Sequence, residues 1–290
     1  MPELTIFTLP KPFTEPHVTL IQRNALASWR RLGREVEVLV IGDDEGVAAA
    51  AREHGAVHIG GAVTNEYGTP LLDWAFARAA ERGSSELLCY VNADIVLLED
   101  FLAAVRRLPR GGQLGIGQRW DCDVNAPLDF DAPLRDWARR TGKLDIGFGS
   151  DYFVFPRTTE FELPAFAVGR PRWDNWMIGR ALEISLPVID MTPSTTVIHQ
   201  NHGYGHVQVR RGSKWDGPEA DRNLELAGRL DRYMHSPRNA THVLTPGGLR
   251  RARTPRYLRA RLEEFLVFTP TLDPVRPLIR RIRHGRPSAA

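Results

Sequence analysis

The chain has 290 residues, of which 42% are hydrophobic and 25% charged, and its formal net charge is +3. This composition is typical of a soluble globular protein, and we predict no nucleic-acid partner from so small a charge. No run of 18 apolar residues occurs, and the N-terminal "MPELTIFTLP" lacks the basic and apolar regions of a signal peptide, so we expect a cytoplasmic protein. The two cysteines, Cys89 and Cys122, have no metal-type spacing and suit buried apolar positions, with a single disulfide as the alternative.

The first hundred residues alternate between strand and helix patterns. Strands are predicted at "LTIFTL" (4–9), "EVEVLVIG" (35–42), "AVHIG" (56–60) and "LLCYVNADIVLLEDF" (87–101). Helices are predicted at 14–33, with Thr14 as N-cap, at 47–54 and at about 71–82. This alternation predicts an α/β fold with a doubly wound, mostly parallel central sheet.

The second half of the chain continues this pattern less regularly. Strands are predicted at "LGIGQRWDCDV" (114–124), "DYFVFPR" (151–157) and "PVIDMTPSTTVIHQ" (187–200), with an insertion at 125–149 and a helix ending near residue 184. After His206 the pattern becomes helical and basic. We therefore predict a first domain at 1–210 and a helical, Arg-rich C-terminal extension at 211–290.

Positive charge is concentrated at the end of the sequence. Residues 250–290 carry 11 arginines and 3 acidic residues, a charge of +8, whereas residues 1–249 carry −5. This asymmetry indicates an anionic partner, such as the surface of an anionic membrane at which the protein is peripheral. The alternative is a solvated helical face, because arginine is this chain's usual cation (35 of 38 basic residues).

Polar residues end the predicted parallel strands, where ligands bind in open α/β sheets. Thr8 ends the first strand, Asp43 and Asp44 the second, and Asn92 and Asp94 interrupt the apolar fourth strand. A carboxylate is rarely buried without a partner. Neither a Gly-x-Gly-x-x-Gly nor a Walker sequence is present to hold phosphate, so we expect a divalent cation held by Asp94 to do so.

The motif "VNADIVL" resembles the Asp-x-Asp motif of the GT-A glycosyltransferases, and "NEYGTPLLDWAFARA" is similar to that family's nucleotide-facing loop and helix. The resemblance extends over residues 3–204. It implies a nucleotide-diphosphate sugar donor, specifically a UDP-sugar, a manganese or magnesium ion on Asp94, and nucleotide contacts from Asn65, Thr69 and Asn92. The family's first acid is replaced by Asn92, an amide that suits a ribose contact.

Three histidines, His199, His202 and His206, follow the last predicted strand. The resemblance implies that His199 completes the metal shell, as a late histidine does in many GT-A enzymes. A structural role is the favoured interpretation for His202 and His206. A mononuclear metal hydrolase that uses all three histidines is a rival hypothesis.

Two aspartates are candidates for the chemistry. Asp174 precedes a predicted helix between two tryptophans, so it is either the general base or a helix N-cap, and the indoles would stack on a sugar. Asp151 is predicted to bind sugar hydroxyls or to form a turn. Asp43 or Asp44 would contact ribose or base rather than only form a turn. Arg119 would pair with the diphosphate or form a surface ion pair.

Two other functions stay open at this point. A sugar-phosphate nucleotidyltransferase shares the architecture, although it usually has a Gly-rich basic loop after the first strand, where this chain has "PKPFTEP". A non-catalytic nucleotide-sugar or carbohydrate-binding protein is the other. The acceptor, a sugar, a lipid or a small molecule, and the stereochemical outcome are not predicted.

Overall fold

The computed structural model describes residues 2–109, 111–202, 217–229 and 233–268. The strands in these ranges are β1 (Leu4–Thr8), β2 (Val36–Ile41), β3 (Val57–Ile59), β4 (Leu87–Val91), β5 (Ile95–Leu97), β6 (Leu114–Ile116), β7 (Trp120–Cys122), β8 (Lys143–Leu144), β9 (Tyr152–Pro156), β10 (Val188–Asp190), β11 (Val197–Gln200), β12 (His242–Thr245) and β13 (Gly248–Arg251). The α-helices are α1 (Pro16–Arg31), α2 (Val47–Glu53), α3 (Leu72–Arg82), α4 (Glu99–Val105), α5 (Leu134–Thr141), α6 (Trp173–Glu183), α7 (Pro218–Ala227) and α8 (Pro255–Phe268).

Nine strands form the main sheet, in the order β13-β12-β10-β6-β9-β4-β1-β2-β3. Strands β1 to β4 run parallel to their neighbours among themselves, and so do β6, β10 and β12. β9 lies between the two groups and is antiparallel to both, and the edge strand β13 is antiparallel to β12. The predicted α/β fold with a mostly parallel sheet is confirmed.

Helices cover both faces of this sheet. Side chains alternate between faces along a strand, so neighbouring residues of β1 meet different helices. Ile6 lies in a core cluster with Trp29 of α1. Phe7 packs edge-on against Phe76 of α3, with ring centroids 5.0 Å apart. This double coverage explains why the central strands are almost continuously apolar in sequence.

The main sheet meets a second, four-stranded sheet where β4 ends. The second sheet has the order β5-β11-β7-β8. Residues 92–94 form a turn between β4 and β5, closed by a 3.1 Å hydrogen bond from the Ile95 amide to the Asn92 carbonyl. The apolar run predicted as one strand is therefore two strands in different sheets. The polar residues Asn92 and Asp94 lie at the break between them.

The side chain of Gln200 joins α1, β11 and this turn. Gln200 is fully buried; its amide nitrogen donates to the carbonyls of Ile21, at 2.7 Å, and Asp94, at 3.0 Å. Its amide oxygen accepts a 2.9 Å hydrogen bond from Asn24 of α1. The indole of Trp29 adds a 2.9 Å hydrogen bond to the Ile95 carbonyl. Helix α1 therefore helps to fix the backbone at Asp94 and Ile95.

Several sequence expectations need correction. Helix α1 is capped by Glu15, which accepts hydrogen bonds from the amides of His17 and Val18, and not by Thr14. The predicted strands 114–124 and 187–200 are each divided in two, because the second half of each joins the small sheet. Cys89 and Cys122 are buried and free, as the cysteine pattern predicts.

The predicted domain boundary near residue 210 lies outside the described residues. After that point the chain contains helices, as predicted, but also β12 and β13 of the main sheet. The structure divides into one compact unit that ends at Arg251 and a second that begins at Ala252 and contains α8. No helix in the described ranges is both long enough and apolar enough to cross a bilayer.

We expect Gln200→Met to lower the free energy of unfolding by about 2–4 kcal/mol, because three buried hydrogen bonds are lost while the shape is nearly kept. The matched control is Gln113→Met. Gln113 is equally buried, but neither polar atom of its side chain has a hydrogen-bond partner within the described residues. Methionine should therefore leave stability unchanged or raise it there. Urea denaturation measures both, and equal losses at the two sites would contradict this account of Gln200.

Candidate active site

A cavity of about 540 Å³ opens at the carboxyl ends of β1, β2 and β4. Its walls come from the loops that follow these strands and from residues 68–70, 148–151 and 168–175. Cavities of roughly 300–1,000 Å³ are typical of small-molecule sites. The position is the one at which open α/β sheets bind their ligands.

Asp94, His199 and His202 bring one carboxylate and two imidazoles together in this cavity. The Nε2 atom of His202 lies 2.7 Å from Oδ2 of Asp94, and Nε2 of His199 lies 3.6 Å from the same oxygen. One ligand atom from each residue lies within 4.8 Å of the other two. Oδ1 of Asp94 is buried without a hydrogen-bond partner among the described residues. An unsatisfied buried acceptor beside two imidazoles fits a divalent cation.

The side chains of Asp94 and His199 shift each other's pKa values. Burial raises the pKa of Asp94, but its interactions with His199 and His202 outweigh burial and hold that pKa well below its ordinary value. Burial lowers the pKa of His199, but the attraction of Asp94 and Asp121 outweighs burial and raises it. The two carboxylates therefore stabilise the protonated form of His199. A cation bound by its ring would need the neutral imidazole.

Asp121 of β7 holds the far side of the His199 ring. Its Oδ1 lies 3.0 Å from Nδ1 of His199. Burial raises the pKa of Asp121, but His199 and Arg119 outweigh burial and lower it to about 2. The two ring nitrogens of His199 thus face different carboxylates. A carboxylate on one nitrogen orients the other toward a metal.

Arg119 links the carboxylate of Asp121 to that of Asp151. Its Nε donates a 2.9 Å hydrogen bond to Asp121, and its Nη1 pairs with Oδ2 of Asp151. Oδ1 of Asp151 accepts a 2.8 Å hydrogen bond from the side-chain amide of Asn92, whose own oxygen accepts from the Tyr90 hydroxyl at 2.9 Å. An acid at position 92 would repel Asp151, which gives a physical reason for the amide.

Asp174 is the second residue of α6, and the helix N-cap is Arg172. The N-cap role considered for Asp174 is therefore wrong. Arg172 has a positive φ of 90°, a conformation that costs a non-glycine residue on the order of 1–3 kcal/mol and fixes the direction in which the helix begins. A Cβ atom on Gly149 would lie 2.5 Å from Oδ2 of Asp174, so a side chain at position 149 would displace that carboxylate.

The two tryptophans beside Asp174 are both buried, with 4% and 5% of Trp173 and Trp176 exposed. Trp173 packs edge-on against Tyr90 at 4.9 Å. These positions do not support the predicted stacking of the indoles on a sugar. Phe148, which is 56% exposed, is the aromatic side chain that lines the cavity and faces solvent.

The structure brings most of the predicted site residues into one cavity wall, namely Asp44, Thr69, Asn92, Asp94, Arg119, Asp151, Asp174 and His199. It does not bring three others there. Thr8 is buried within β1. Asp43 accepts hydrogen bonds from the amides of Gly61 and Ala62. Asn65 shapes its own loop and donates to Glu219. His206 lies outside the described residues.

Sequence reasoning missed several residues of this site. Lys11 lines the cavity from the loop after β1, a position that reading the whole loop would have found. Asp121 had no signal, because its contact with His199 depends on the pairing of β7 with β11. His202, for which a structural role was the favoured interpretation, contacts Asp94 because β11 also pairs with β5. Arg170 lines the cavity and pairs at 2.6 Å with Glu219 of α7, which lies beyond the predicted domain boundary.

No protein-family model and no curated protein matches this chain. Among solved structures, this chain is similar to the mannosyltransferase PcManGT from Pyrobaculum calidifontis in complex with GDP-Man and Mn²⁺, at 16% identity and a TM-score of 0.44. The matched region covers 70% of this chain but only 58% of the mannosyltransferase chain. The chain is also similar to glucosyl-3-phosphoglycerate synthase from Mycobacterium tuberculosis in complex with Mg²⁺ and UDP, at 14% identity and a TM-score of 0.47, over 81% of this chain and 80% of that one.

A third similar structure is 4-diphosphocytidyl-2C-methyl-D-erythritol synthase from Anaerococcus prevotii, at 12% identity and a TM-score of 0.40, over 66% of this chain and 89% of that one. At these identities and TM-scores, the likenesses transfer no residue role and no activity to this chain.

We expect Arg119→Met to lower the free energy of unfolding by about 2–3 kcal/mol, because it leaves Asp121 and Asp151 without their counter-charge in a largely buried network. The control is Arg31→Met, which breaks a pair with Asp131 whose side chains are 53% and 83% exposed. That change should cost less than about 1 kcal/mol. Thermal melting compares the two, and similar losses would mean that Arg119 is only a surface cation.

Proposed function

We propose that this chain is a GT-A-type glycosyltransferase that transfers a sugar from a nucleotide-diphosphate sugar, a UDP-sugar, to an acceptor hydroxyl with the help of a divalent cation. The observation that carries the proposal is the triad of Asp94, His199 and His202 inside a cavity at the strand ends. A cation held there supplies Lewis acidity to the leaving diphosphate. The acceptor is a sugar, a lipid or a small molecule.

The donor atoms of the triad favour manganese over magnesium. Magnesium prefers oxygen ligands in a nearly ideal octahedron. Imidazole nitrogen suits first-row transition ions better, and the triad offers two imidazoles for one carboxylate. Of the two ions expected from the sequence, manganese is therefore the proposed cofactor.

Residues of the chain are proposed to accept the acceptor's proton and to bind the sugar and the nucleotide. In an inverting reaction, the bond from the sugar's anomeric carbon to the diphosphate breaks as the bond to the acceptor oxygen forms, and the diphosphate leaves with the electron pair. The acceptor hydroxyl loses a proton, which Asp174 accepts. Asp151 and Asn92, held together at 2.8 Å, are proposed to bind sugar or ribose hydroxyls. Asp44 and Thr69 are proposed nucleotide contacts at the cavity wall.

Lys11 favours a second candidate function, nucleotidyl transfer to a sugar phosphate. It supplies a basic side chain on the loop after β1, facing the side of the cavity that holds Asp94. A lysine ammonium is a common phosphate ligand. Product analysis separates the two functions: a glycosyltransferase releases a nucleoside diphosphate from a nucleotide sugar, and a nucleotidyltransferase releases pyrophosphate from a nucleoside triphosphate. Binding without either product would indicate a non-catalytic protein.

We expect Asp94→Asn to abolish manganese-dependent binding of UDP while the protein still folds, although the lost contacts with the two histidines should lower the melting temperature. The amide cannot replace the carboxylate as an anionic metal ligand. Asp136→Asn, at an exposed position on α5, is the matched control and should bind normally. Titration calorimetry of UDP with and without manganese measures this. Unchanged affinity of the Asp94 variant would refute the metal assignment.

We expect Asp174→Asn to reduce turnover by at least about a hundredfold, because the amide cannot accept the proton. Donor binding should be retained. Stability should fall by no more than about 1 kcal/mol, the usual value of an acidic residue in the first turn of a helix. Steady-state kinetics and melting of the same variant give both numbers. If turnover is comparable to the wild type, Asp151 becomes the next candidate base.

A further inference from the structure

Helix α8 presents large apolar side chains to solvent. Leu258, Leu262 and Phe265 are 50%, 57% and 60% exposed. Their spacing of four and three residues places them in one stripe along the helix. Tyr257 and Ala260, which lie on a different side of the same helix, are buried. The stripe is therefore a second apolar face, separate from the face that packs within the protein.

Arginines border the stripe on both sides. Arg259 and Arg261 lie next to it around the helix, and both are exposed; Arg259 also pairs with Glu263 at 3.0 Å. From Ala252 to Phe268 the sequence contains four arginines and two acidic residues, so the segment keeps a net positive charge. A helix with an apolar face flanked by arginines is typical of segments that lie in the interface of an anionic bilayer.

We propose that α8 docks on an anionic lipid surface, with Leu258, Leu262 and Phe265 inserted among the acyl chains and the flanking arginines at the headgroups. A second copy of the chain is a less suitable occupant, because pairing two such stripes would bring like-charged arginine borders together. At 14 residues the helix is too short to span a bilayer. The charge of residues 250–290 by itself indicates only electrostatic attraction to an anionic surface. The proposal also requires the apolar side chains of α8 to insert into the bilayer.

Sedimentation of the full-length protein with vesicles tests the proposal. We expect binding to vesicles of phosphatidylcholine with phosphatidylglycerol and none to pure phosphatidylcholine, and the binding should weaken as salt is raised. Replacing Leu258, Leu262 and Phe265 together by serine should weaken binding at least about tenfold. Leu224→Ser removes an exposed leucine from α7 and should not change it.

Insertion is measured separately with a polarity-sensitive dye on Leu262→Cys, with Leu224→Cys as the control; the two native cysteines are buried. Only the label on α8 should shift its emission to the blue with anionic vesicles. If the serine variant unfolds, Arg259→Gln with Arg261→Gln replaces it, and should lose binding likewise. Binding without a blue shift, or a concentration-dependent dimer that the stripe variant abolishes, would overturn the proposal, as would the absence of any binding.

Discussion

The buried amide of Gln200 is the constraint on which the geometry of the site depends. Its nitrogen is shared between the carbonyls of Ile21 and Asp94, and its oxygen is held by Asn24. His199 precedes this residue and His202 follows two positions later, so fixing Gln200 fixes both imidazoles relative to Asp94. Because the Gln200 side chain is fully buried, each of these bonds is expensive to leave unmade. Backbone carbonyls and a side-chain amide thereby position the triad that we propose as the metal site.

The cavity is lined by more acidic than basic side chains. Asp44, Asp94, Asp145, Asp151 and Asp174 line it, against the cations Lys11, Arg119 and Arg170. Arg119 and Arg170 are already engaged by carboxylates. Among the described cavity residues, Lys11 is the cation without an ion pair. A diphosphate entering so acidic a cavity needs additional positive charge, which gives a physical reason to expect a divalent cation that is independent of the sequence motif.

The same network accounts for the unusual residue at position 92. Asn92 donates to Asp151 and accepts from Tyr90, so it joins two groups that an aspartate could not both satisfy. Asp94 alone then supplies a carboxylate, and His202 supplies the third ligand atom of the triad. In place of a second acid, the triad contains His202, which lies two residues after β11.

The sequence by itself determined the α/β class and the position of Asp94 at the end of a central strand, because hydrophobic periodicity and a polar break in an apolar run are local signals. It also indicated His199 and the basic character of the C-terminal segment. Only the tertiary structure decided that strands 87–101, 114–124 and 187–200 divide between two sheets, since periodicity does not reveal which partner a strand pairs with. That pairing brings His202 next to Asp94 and Asp121 next to His199. Packing elsewhere buries Trp176, and local hydrogen bonds hold Asp43 and Asn65 outside the cavity wall. Contacts between residues far apart in the chain depend on strand order and loop path, and a single sequence carries no local pattern for either.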